Sequence, residues 1–309
     1  MAVAVFSGAA VRAAVAPLRA YETVRAAFIA HARGEWTMQP KVYVENYPAG
    51  DFRAMPALGG GYALLKWVTS FPGNPARGLP TVSGLVLLSD ADTGELLAIL
   101  DAAAVTALRT AAAGVLAAAT LGRDGSIAVV RCGVNGAETV RLLAALGRAP
   151  LVCDRDGSRA EAVATAHGAT AVSLTGALSA DVVITVTPGS TILFDSGSLK
   201  RGQHVSLMGA DGPGKAEIAV EELGRARLFC DDWEQASHGG ELAAGVKARL
   251  VEQSAVTTLG AVLSDTAVGR ATDDEVTLFD STGLAIQDLA IAVAAYERRS
   301  DLELPTIEL

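Results

Sequence analysis

Three basic side chains interrupt apolar segments in the first third of the chain and are suited to bind an anion. Arg53, Lys66 and Arg109 lie in the segments DFRAMP, YALLKWVTS and TALRTAAAG, whose other residues are mostly apolar or small. A buried cation costs several kcal/mol unless a negative group meets it. Either the three side chains bind a carboxylate ligand, or each pairs with an acidic residue nearby in the sequence. Examples of such acids are Asp90, Asp92 and Asp101.

A glycine-containing loop after an apolar segment indicates a dinucleotide site with an altered fingerprint. The pattern G-x-G-x-x-G lets the backbone approach a pyrophosphate, and here residues 131–136 read RCGVNG. Arginine replaces the first glycine, and it either contacts the pyrophosphate or obstructs the loop. The alternative is a βα turn that binds no dinucleotide. The candidate cofactor-binding residues of this loop are Arg131, Gly133, Val134, Asn135 and Gly136.

An acid about twenty residues after the glycine loop is the second sign of a dinucleotide. Asp154 ends the next apolar segment, at the position where a carboxylate accepts hydrogen bonds from the ribose hydroxyls. That carboxylate favours NAD because it repels a 2′-phosphate, and Arg155 beside it weakens this preference. We therefore expect NAD, with NADP as the alternative.

The loop after the segment HVSLM contains a candidate acid/base, Asp211. Ligands of open α/β sheets bind beyond the carboxyl ends of the strands, where this loop begins. The alternative is a turn aspartate, because Asp before Gly is common in turns. The loop also matches G-x-x-x-x-G-K, but Ala216 lacks the hydroxyl that binds magnesium, so we reject a P-loop.

Two further residue groups are expected to be structural. Five residues form an acidic group whose spacing fits no standard metal site, so we interpret them as a solvated loop and expect no metal. They are Asp231, Asp232, Glu234, His238 and Glu241. The cysteines Cys132, Cys153 and Cys230 lie inside apolar runs, which is typical of small core residues in a reducing compartment.

The composition is that of a globular enzyme. Half of the 309 residues are hydrophobic, and the net charge of −9 opposes binding to nucleic acid, which normally requires a basic surface. No apolar run reaches the roughly 18 residues of a membrane span. Arg12 and Arg19 interrupt the apolar N-terminal segment where a signal peptide would continue. We therefore expect a cytoplasmic protein that binds neither nucleic acid nor membrane.

The pattern of apolar residues predicts two domains. Residues 9–33 have helical spacing, which Pro17 divides, and the segments KVYVEN, YALLKWVTS, TVSGLVLL and ELLAILD predict a largely antiparallel sheet. An alanine-rich helix follows from Ala102 to Leu121. From residue 122 to 284, strands and helices alternate, which predicts an α/β fold with a doubly wound parallel sheet. A final helix, with Ser281 or Thr282 as its N-cap, returns to the first domain, which thus comprises residues 1–121 and 285–309.

The chain resembles the ornithine cyclodeaminase/µ-crystallin family, and within it the alanine dehydrogenase-type members. The resemblance runs from about residue 40 to about residue 296, and it departs from the family at the glycine loop, where the usual pattern is G-x-G-x-Q-A. The matching segments are DFRAMP, LLKWVTSFPGNPARGLPTVSGLVLLSDADTGELLAILD, TALRTAAAG, GADGPGKAEI and FDSTGLAIQDLA.

The resemblance implies a Rossmann domain for NAD(P) and an α+β domain that binds substrate and forms a homodimer. It places Lys41, Arg53, Lys66 and Arg109 at the substrate carboxylate. It also assigns Asp211 as the acid/base and places Thr110 near the cofactor phosphates.

The hypothesis that follows is reversible hydride transfer at the α-carbon of a small amino acid, through an imino acid. Lys66 polarises the carbonyl or imine, and Asp211 moves protons to and from nitrogen or water. The same residues fit alanine dehydrogenation, reduction of a cyclic imine (ketimine) and redox-neutral cyclodeamination. A protein with a degenerate cofactor loop that binds a ligand, or that performs non-redox chemistry, is the other alternative.

Overall fold

The computed structural model describes residues 2–189, 191–210, 212 and 214–309. It divides into two compact units, one of Met1–Arg109 with Leu284–Leu309 and one of Thr110–Gly283. The first division therefore falls at Arg109, inside the alanine-rich helix, and not at the turn after Leu121 that the sequence suggests. The helix itself, α3, spans Ala102–Leu121 as predicted.

The first unit contains an eight-stranded sheet that is largely antiparallel, as predicted. Its order is β16-β1-β7-β6-β5-β4-β2, and β3 also pairs with β4. The contact of β1 with β7 is parallel. The strands are β1 (Ala2–Phe6), β2 (Thr37–Met38), β3 (Val42–Asn46), β4 (Gly50–Gly59), β5 (Tyr62–Ser70), β6 (Val82–Asp90), β7 (Leu96–Asp101) and β16 (Thr306–Glu308).

The helices of the first unit cover the inner face of this sheet. α1 (Gly8–Ala14) and α2 (Pro17–Ala32) are separate, as predicted, and α2 begins with Pro17 because its missing N–H costs nothing at a first helical position. α11 (Ala285–Glu297) packs against α2 and against β4, β5 and β6. Most of its residues are buried, so the face of the sheet that it covers is part of a core.

The predicted N-cap of α11 is wrong. The helix begins at Ala285 after Leu284, whose N–H donates to the Gln287 side chain at 3.3 Å. The Ser281 and Thr282 hydroxyls instead donate to Asp231 at 3.2 and 3.0 Å, within the second unit. Both hydroxyls therefore hold the connection before α11 against Asp231, and neither caps the helix.

The second unit contains the predicted parallel sheet, whose order is β10-β9-β8-β11-β12-β15-β13-β14. From β8 the chain continues to β9 on one side of β8, and it later returns to β11 on the other side. The topological switch point therefore lies between β8 and β11. The strands are β8 (Ile127–Val130), β9 (Leu151–Cys153), β10 (Thr170–Ala171), β11 (Val182–Thr185), β12 (His204–Leu207), β13 (Arg227–Cys230), β14 (Val256–Thr258) and β15 (Thr277–Asp280).

Short helices connect these strands. The predicted helix around AEIAVEELG is only one turn long, Val220–Leu223. All three cysteines are free and buried, as predicted. The helices are α4 (Val134–Ala145), α5 (Gly157–His167), α6 (Leu174–Leu178), α7 (Val220–Leu223), α8 (Trp233–Gly239), α9 (Glu241–Lys247) and α10 (Leu259–Leu263).

Within the described residues, one helix, α3, is long and apolar enough to cross a membrane by length and composition alone. Of its most apolar window, 78% is buried inside the protein, which is the environment of a core helix. Its burial therefore accounts for its hydropathy without a bilayer.

Candidate functional site

The first unit brings the three basic residues of the opening hypothesis to the buried side of one sheet. Residues pair across β4 and β5 so that Arg53 lies opposite Val68 and Met55 lies opposite Lys66. Arg53 and Lys66 therefore point to the same face, and they are 7% and 1% exposed. Arg109 lies two turns into α3, and its side chain is 12% exposed.

Lys66 and Arg109 share one carboxylate. The Lys66 Nζ donates to Asp288 Oδ1 at 2.8 Å and to the Thr106 hydroxyl at 2.7 Å. The Arg109 Nε lies 3.4 Å from the same Asp288 oxygen, and its Nη1 donates to Gln287 Oε1 at 3.3 Å. Since Asp288 is fully buried on α11, the C-terminal helix provides the counter-charge of this site.

Arg53 has a different partner, the acid two residues before it on β4. Its Nε donates to Asp51 Oδ1 at 2.6 Å and its Nη2 to Asp51 Oδ2 at 3.2 Å, a bidentate pair with strong geometry. The Tyr43 ring lies under the guanidinium, 5.3 Å from centroid to Cζ. Asp51 therefore fixes the edge of the Arg53 guanidinium that contains Nε and Nη2.

The alternative explanation, pairing with an acid nearby in the sequence, holds for Arg53 and Asp51, but the acids named as examples do not take part in the described ion pairs. Asp90 Oδ1 accepts the N–H groups of the turn between β6 and β7, and Asp101 Oδ1 accepts the Ala104 N–H at the start of α3. The ion pairs of the three cations use Asp51 and Asp288 instead. Their burial distinguishes them from surface pairs.

The basic cluster concentrates three cationic side chains in largely buried surroundings. Among the described contacts, Arg53, Lys66 and Arg109 meet two carboxylates, those of Asp51 and Asp288. Burial lowers the pKa of Lys66 to about 8; Asp288 opposes this shift, whereas the charges of Arg109 and Arg53 add to it. Repulsion among these cations favours the binding of a negative group, such as a carboxylate ligand, beside Lys66.

Three buried polar atoms next to this cluster have no hydrogen-bond partner within the described part of the chain. They are Arg109 Nε, Gln287 Nε2 and Asp288 Oδ2. Buried polar groups are nearly always paired, so unpaired ones mark a place that a polar ligand or water occupies.

Lys41, Thr110 and Asp211 are the other residues that the resemblance assigned to the substrate, the cofactor phosphates and proton transfer. Lys41 lies directly before β3 and is half-buried, and Thr110 follows Arg109 on α3 and is buried. Asp211 lies outside the described residues. Its proposed acid/base role remains a prediction.

In the second unit, the altered glycine loop keeps the backbone path of a dinucleotide fingerprint. Arg131 adopts φ +86°, the left-handed conformation that a glycine takes without strain. A Cβ at Gly136 would lie 1.8 Å from the Arg131 carbonyl oxygen, so only glycine fits there. A Cβ at Gly133 would meet nothing within 4 Å, which leaves the backbone open to a ligand. The loop lies at the carboxyl end of β8, beside the switch point.

The helix that follows this loop offers free N–H groups to an anion. α4 begins after Gly133, and no side-chain hydrogen bond caps its first turn, Val134, Asn135 and Gly136. Val134 is 64% exposed, so this helix end faces solvent. A helix N-terminus of this kind binds phosphate through its N–H groups and its dipole.

Asp154 connects the end of β9 to the glycine loop. Its Oδ2 accepts the Cys132 N–H at 2.8 Å, and its Oδ1 accepts the Asp156 N–H at 2.9 Å. Burial raises the pKa of Asp154, but these hydrogen bonds and the charges of Arg131 and Arg159 outweigh it and lower the pKa overall. Asp154 is thus an ionised acceptor at the predicted place, with the exposed Arg155 directly after it.

The interpretation of the acidic group as a solvated loop is wrong for Asp231 and Glu241, whereas Glu234 and His238 are exposed as expected. Asp231 and Glu241 are 3% and 2% exposed, and Asp231 accepts hydrogen bonds from Ser281, Thr282 and the Gly283 N–H. Glu241 Oε1 accepts the Glu217 N–H at 2.6 Å. These acids lie under the loops at the carboxyl edge of the sheet. Sequence spacing missed them because their partners are hydroxyl and backbone N–H groups 24 to 52 positions away in the chain.

Asp288, Asp51 and Thr106 are the residues of the basic cluster that the sequence interpretation missed. Asp288 had a signal: it is an acid in the otherwise apolar segment AIQDLAIAVAAY. Asp51 and Thr106 had none, because both are ordinary in a turn or a helix.

A family model describes almost the whole chain. Residues 3–303 match the ornithine cyclodeaminase/mu-crystallin family, a longer span than the recognisable segments suggest. The chain belongs to this family. The resemblance stated from the sequence is therefore confirmed.

Individual relatives include dehydrogenases and an imine reductase. The alanine dehydrogenase of Archaeoglobus fulgidus is 41% identical over 288 residues, which cover 90% of this chain and 89% of that protein. A solved archaeal alanine dehydrogenase dimer with bound NAD is 38% identical, with a TM-score of 0.94 and full coverage of both chains. The iminosuccinate reductase of Paracoccus denitrificans in complex with NAD+ is 27% identical, with a TM-score of 0.90 and full coverage.

Proposed function

We propose that this protein is an NAD-dependent oxidoreductase that interconverts a small amino acid and its imino acid, of the alanine dehydrogenase or ketimine reductase type. The observation that carries the proposal is the buried basic cluster of the first unit. Arg53, Lys66 and Arg109 bring three positive charges together in largely buried surroundings, which suits the carboxylate of a short substrate. The dehydrogenases of the family support the reaction class.

The second unit has the features that NAD requires. The strained backbone at Arg131, the open approach at Gly133 and the close contact at Gly136 reproduce the shape of a pyrophosphate-binding turn. Asp154 supplies an ionised acceptor for the ribose. Relatives with bound NAD support this assignment. Bound NAD supplies or accepts the hydride, and the residues of the chain provide binding, orientation and proton transfer.

Substrate binding and proton transfer fall to the chain's own residues. Arg109, Arg53 and Lys41 attract the substrate carboxylate, and the burial of the arginines strengthens that attraction. The Lys66 ammonium polarises the imine or carbonyl as negative charge develops there. Asp211 moves the proton to or from nitrogen or water. Thr110 is proposed to lie near the cofactor phosphates.

We also propose a homodimer formed through the outer face of the first sheet. Trp67 lies opposite Leu85 across β5 and β6, and both are at least 42% exposed. Exposed apolar patches of this kind mark protein interfaces. The related dimer supports the assignment. The apolar residues of this face are Val42, Val44, Phe52, Ala54, Pro56, Leu58, Leu65, Trp67, Leu85 and Leu87.

A cytoplasmic location completes the proposal. The N-terminal segment that resembles part of a leader forms β1 and α1, which belong to the fold of the first unit. The cysteines are unpaired, which suits a reducing compartment.

Initial rates with purified protein test the proposed reaction. NADH oxidation is followed with pyruvate plus ammonium and with a cyclic imine carboxylate, and in parallel L-ornithine is tested for release of ammonia without net NADH consumption. We expect NADH oxidation, and we expect K66M to lose at least about a hundredfold in kcat/KM. Ammonia release from ornithine with no NADH turnover identifies a cyclodeaminase. Failure to bind NADH or NADPH contradicts the proposal.

A further inference from the structure

We infer that Asp288 is a positioning residue that holds Lys66 in its place and in its ammonium form. The inference rests on the proposed function, in which Lys66 must be charged to polarise the substrate. Asp288 is fully buried on α11, and its Oδ1 accepts a hydrogen bond from the Lys66 Nζ at 2.8 Å. No other described carboxylate pairs with Lys66.

The charged groups around Lys66 otherwise oppose its positive charge. From β4 it faces Arg53, whose charge is shared with Asp51, and from α3 it faces Arg109. From β6 its register partner is the apolar Val86. α11 contributes Asp288, so this helix provides the one carboxylate in direct contact with Lys66 in the described chain.

The hydrogen bonds distinguish Asp288 from an acid that only fills space. Lys66 has two acceptors, the Asp288 carboxylate and the Thr106 hydroxyl, and that hydroxyl donates onward to the Ala102 carbonyl. The hydroxyl can orient an amine but cannot stabilise its charge. Without the carboxylate, burial and two guanidinium groups favour the neutral amine, which is consistent with the lowered pKa of Lys66.

Asp288 can also accept a further hydrogen bond when the site holds a ligand. Its Oδ2 is buried and has no hydrogen-bond partner among the described groups, although an ionised carboxylate accepts several hydrogen bonds. The residue therefore balances Lys66 through one oxygen alone. Its position between Lys66 and Arg109 keeps both cations apart and fixed before a carboxylate ligand arrives.

A direct titration of Lys66 tests this inference without relying on activity. The protein is labelled with ¹³C-lysine, the Lys66 Cε resonance is assigned by comparison with K66R, and its shift is followed against pH. In wild type we expect a midpoint near the lowered pKa of about 8. In D288N we expect the midpoint to fall by about one unit or more, and D288E should restore it.

A matched control lies on the same helix. Glu297 on α11 pairs with Arg19 at the surface, so E297Q removes a carboxylate from α11 without touching Lys66. Its Lys66 midpoint should equal that of wild type. A folded D288N with an unchanged Lys66 midpoint overturns the inference.

Two further outcomes keep the inference separate from folding and from the proposed reaction. If D288N does not fold, K66M/D288N should fold and melt at a higher temperature, because it no longer buries an unpaired lysine; equal instability overturns the inference. Where wild type turns over pyruvate and ammonium, the alkaline limb of kcat/KM should move to lower pH in D288N by the same amount as the midpoint. If wild type binds no nicotinamide cofactor, the proposed function fails, and the Lys66 titration still decides the role of Asp288.

Discussion

The glycine loop of the second unit yields the sharpest prediction, because two glycines three residues apart should differ in their response to alanine. One substitution should lower stability, and the other should weaken NADH binding. A Cβ at Gly136 would lie 1.8 Å from the Arg131 carbonyl oxygen, whereas a Cβ at Gly133 would meet nothing within 4 Å. G136A must therefore move the backbone by more than 1 Å, at a cost of about 3 kcal/mol. G133A keeps an allowed backbone, φ −71°, and should stay within about 1 kcal/mol of wild type.

Substitution of Gly133 should weaken NADH binding although it leaves the free energy of unfolding almost unchanged. In G133A the added methyl group occupies the space through which the backbone approaches a pyrophosphate. NADH binding should weaken by at least about tenfold, or 1.4 kcal/mol, in a protein of normal stability. Urea unfolding followed by tryptophan fluorescence gives the stability, and energy transfer from tryptophan to NADH gives the affinity. Normal NADH binding by G133A, or equal destabilisation by both changes, would refute this reasoning.

Three further predictions concern other parts of the chain. Replacing Arg131 by glycine should raise the free energy of unfolding by about 1 kcal/mol relative to alanine at the same site, because alanine keeps the strained φ; equal stabilities would show no strain. W67D should weaken dimer association by at least about thirtyfold in analytical ultracentrifugation, whereas V268D, an exposed site of the second unit, should not. Burial and neighbouring carboxylates raise the pKa of Glu241 to about 9 and that of Asp280 to about 8, so both favour the folded state as neutral acids. Their stabilisation is complete below about pH 4 and is lost as the pH rises towards 8 or 9; D280N should flatten that loss in urea titrations, and an unchanged slope contradicts it.

Much of the architecture was predictable because apolar periodicity reports burial directly. The parallel strands of the second unit are short, apolar and separated by helical segments, and the structure forms them as expected. β4 was missed because its buried face contains Asp51 and Arg53, so the usual alternation of apolar and polar residues is absent. A strand that carries functional charge inward therefore escapes a test based on hydrophobicity.

Sequence patterns are also limited in identifying which acidic residues pair with the basic residues of the candidate site. Residue type alone identified Arg53, Lys66 and Arg109 as unusual, because unpaired cations in apolar surroundings need a counter-charge. The acid that Lys66 and Arg109 share could not be identified, since Asp288 lies 222 positions from Lys66 and meets it only through the packing of α11 on the sheet. The buried role of Glu241 was hidden for the same reason.

Transfer of deuterium tests the central claim most directly. Purified protein is incubated with pyruvate, ammonium and NADH carrying deuterium at both positions of its nicotinamide C4, and the product is analysed by mass spectrometry. The proposed chemistry predicts alanine with one deuterium at the α-carbon, and its formation should be lost in K66M. Protein that binds NADH but yields no deuterated amino acid, from pyruvate or from a cyclic imine carboxylate, would contradict hydride transfer to a substrate held by the basic cluster.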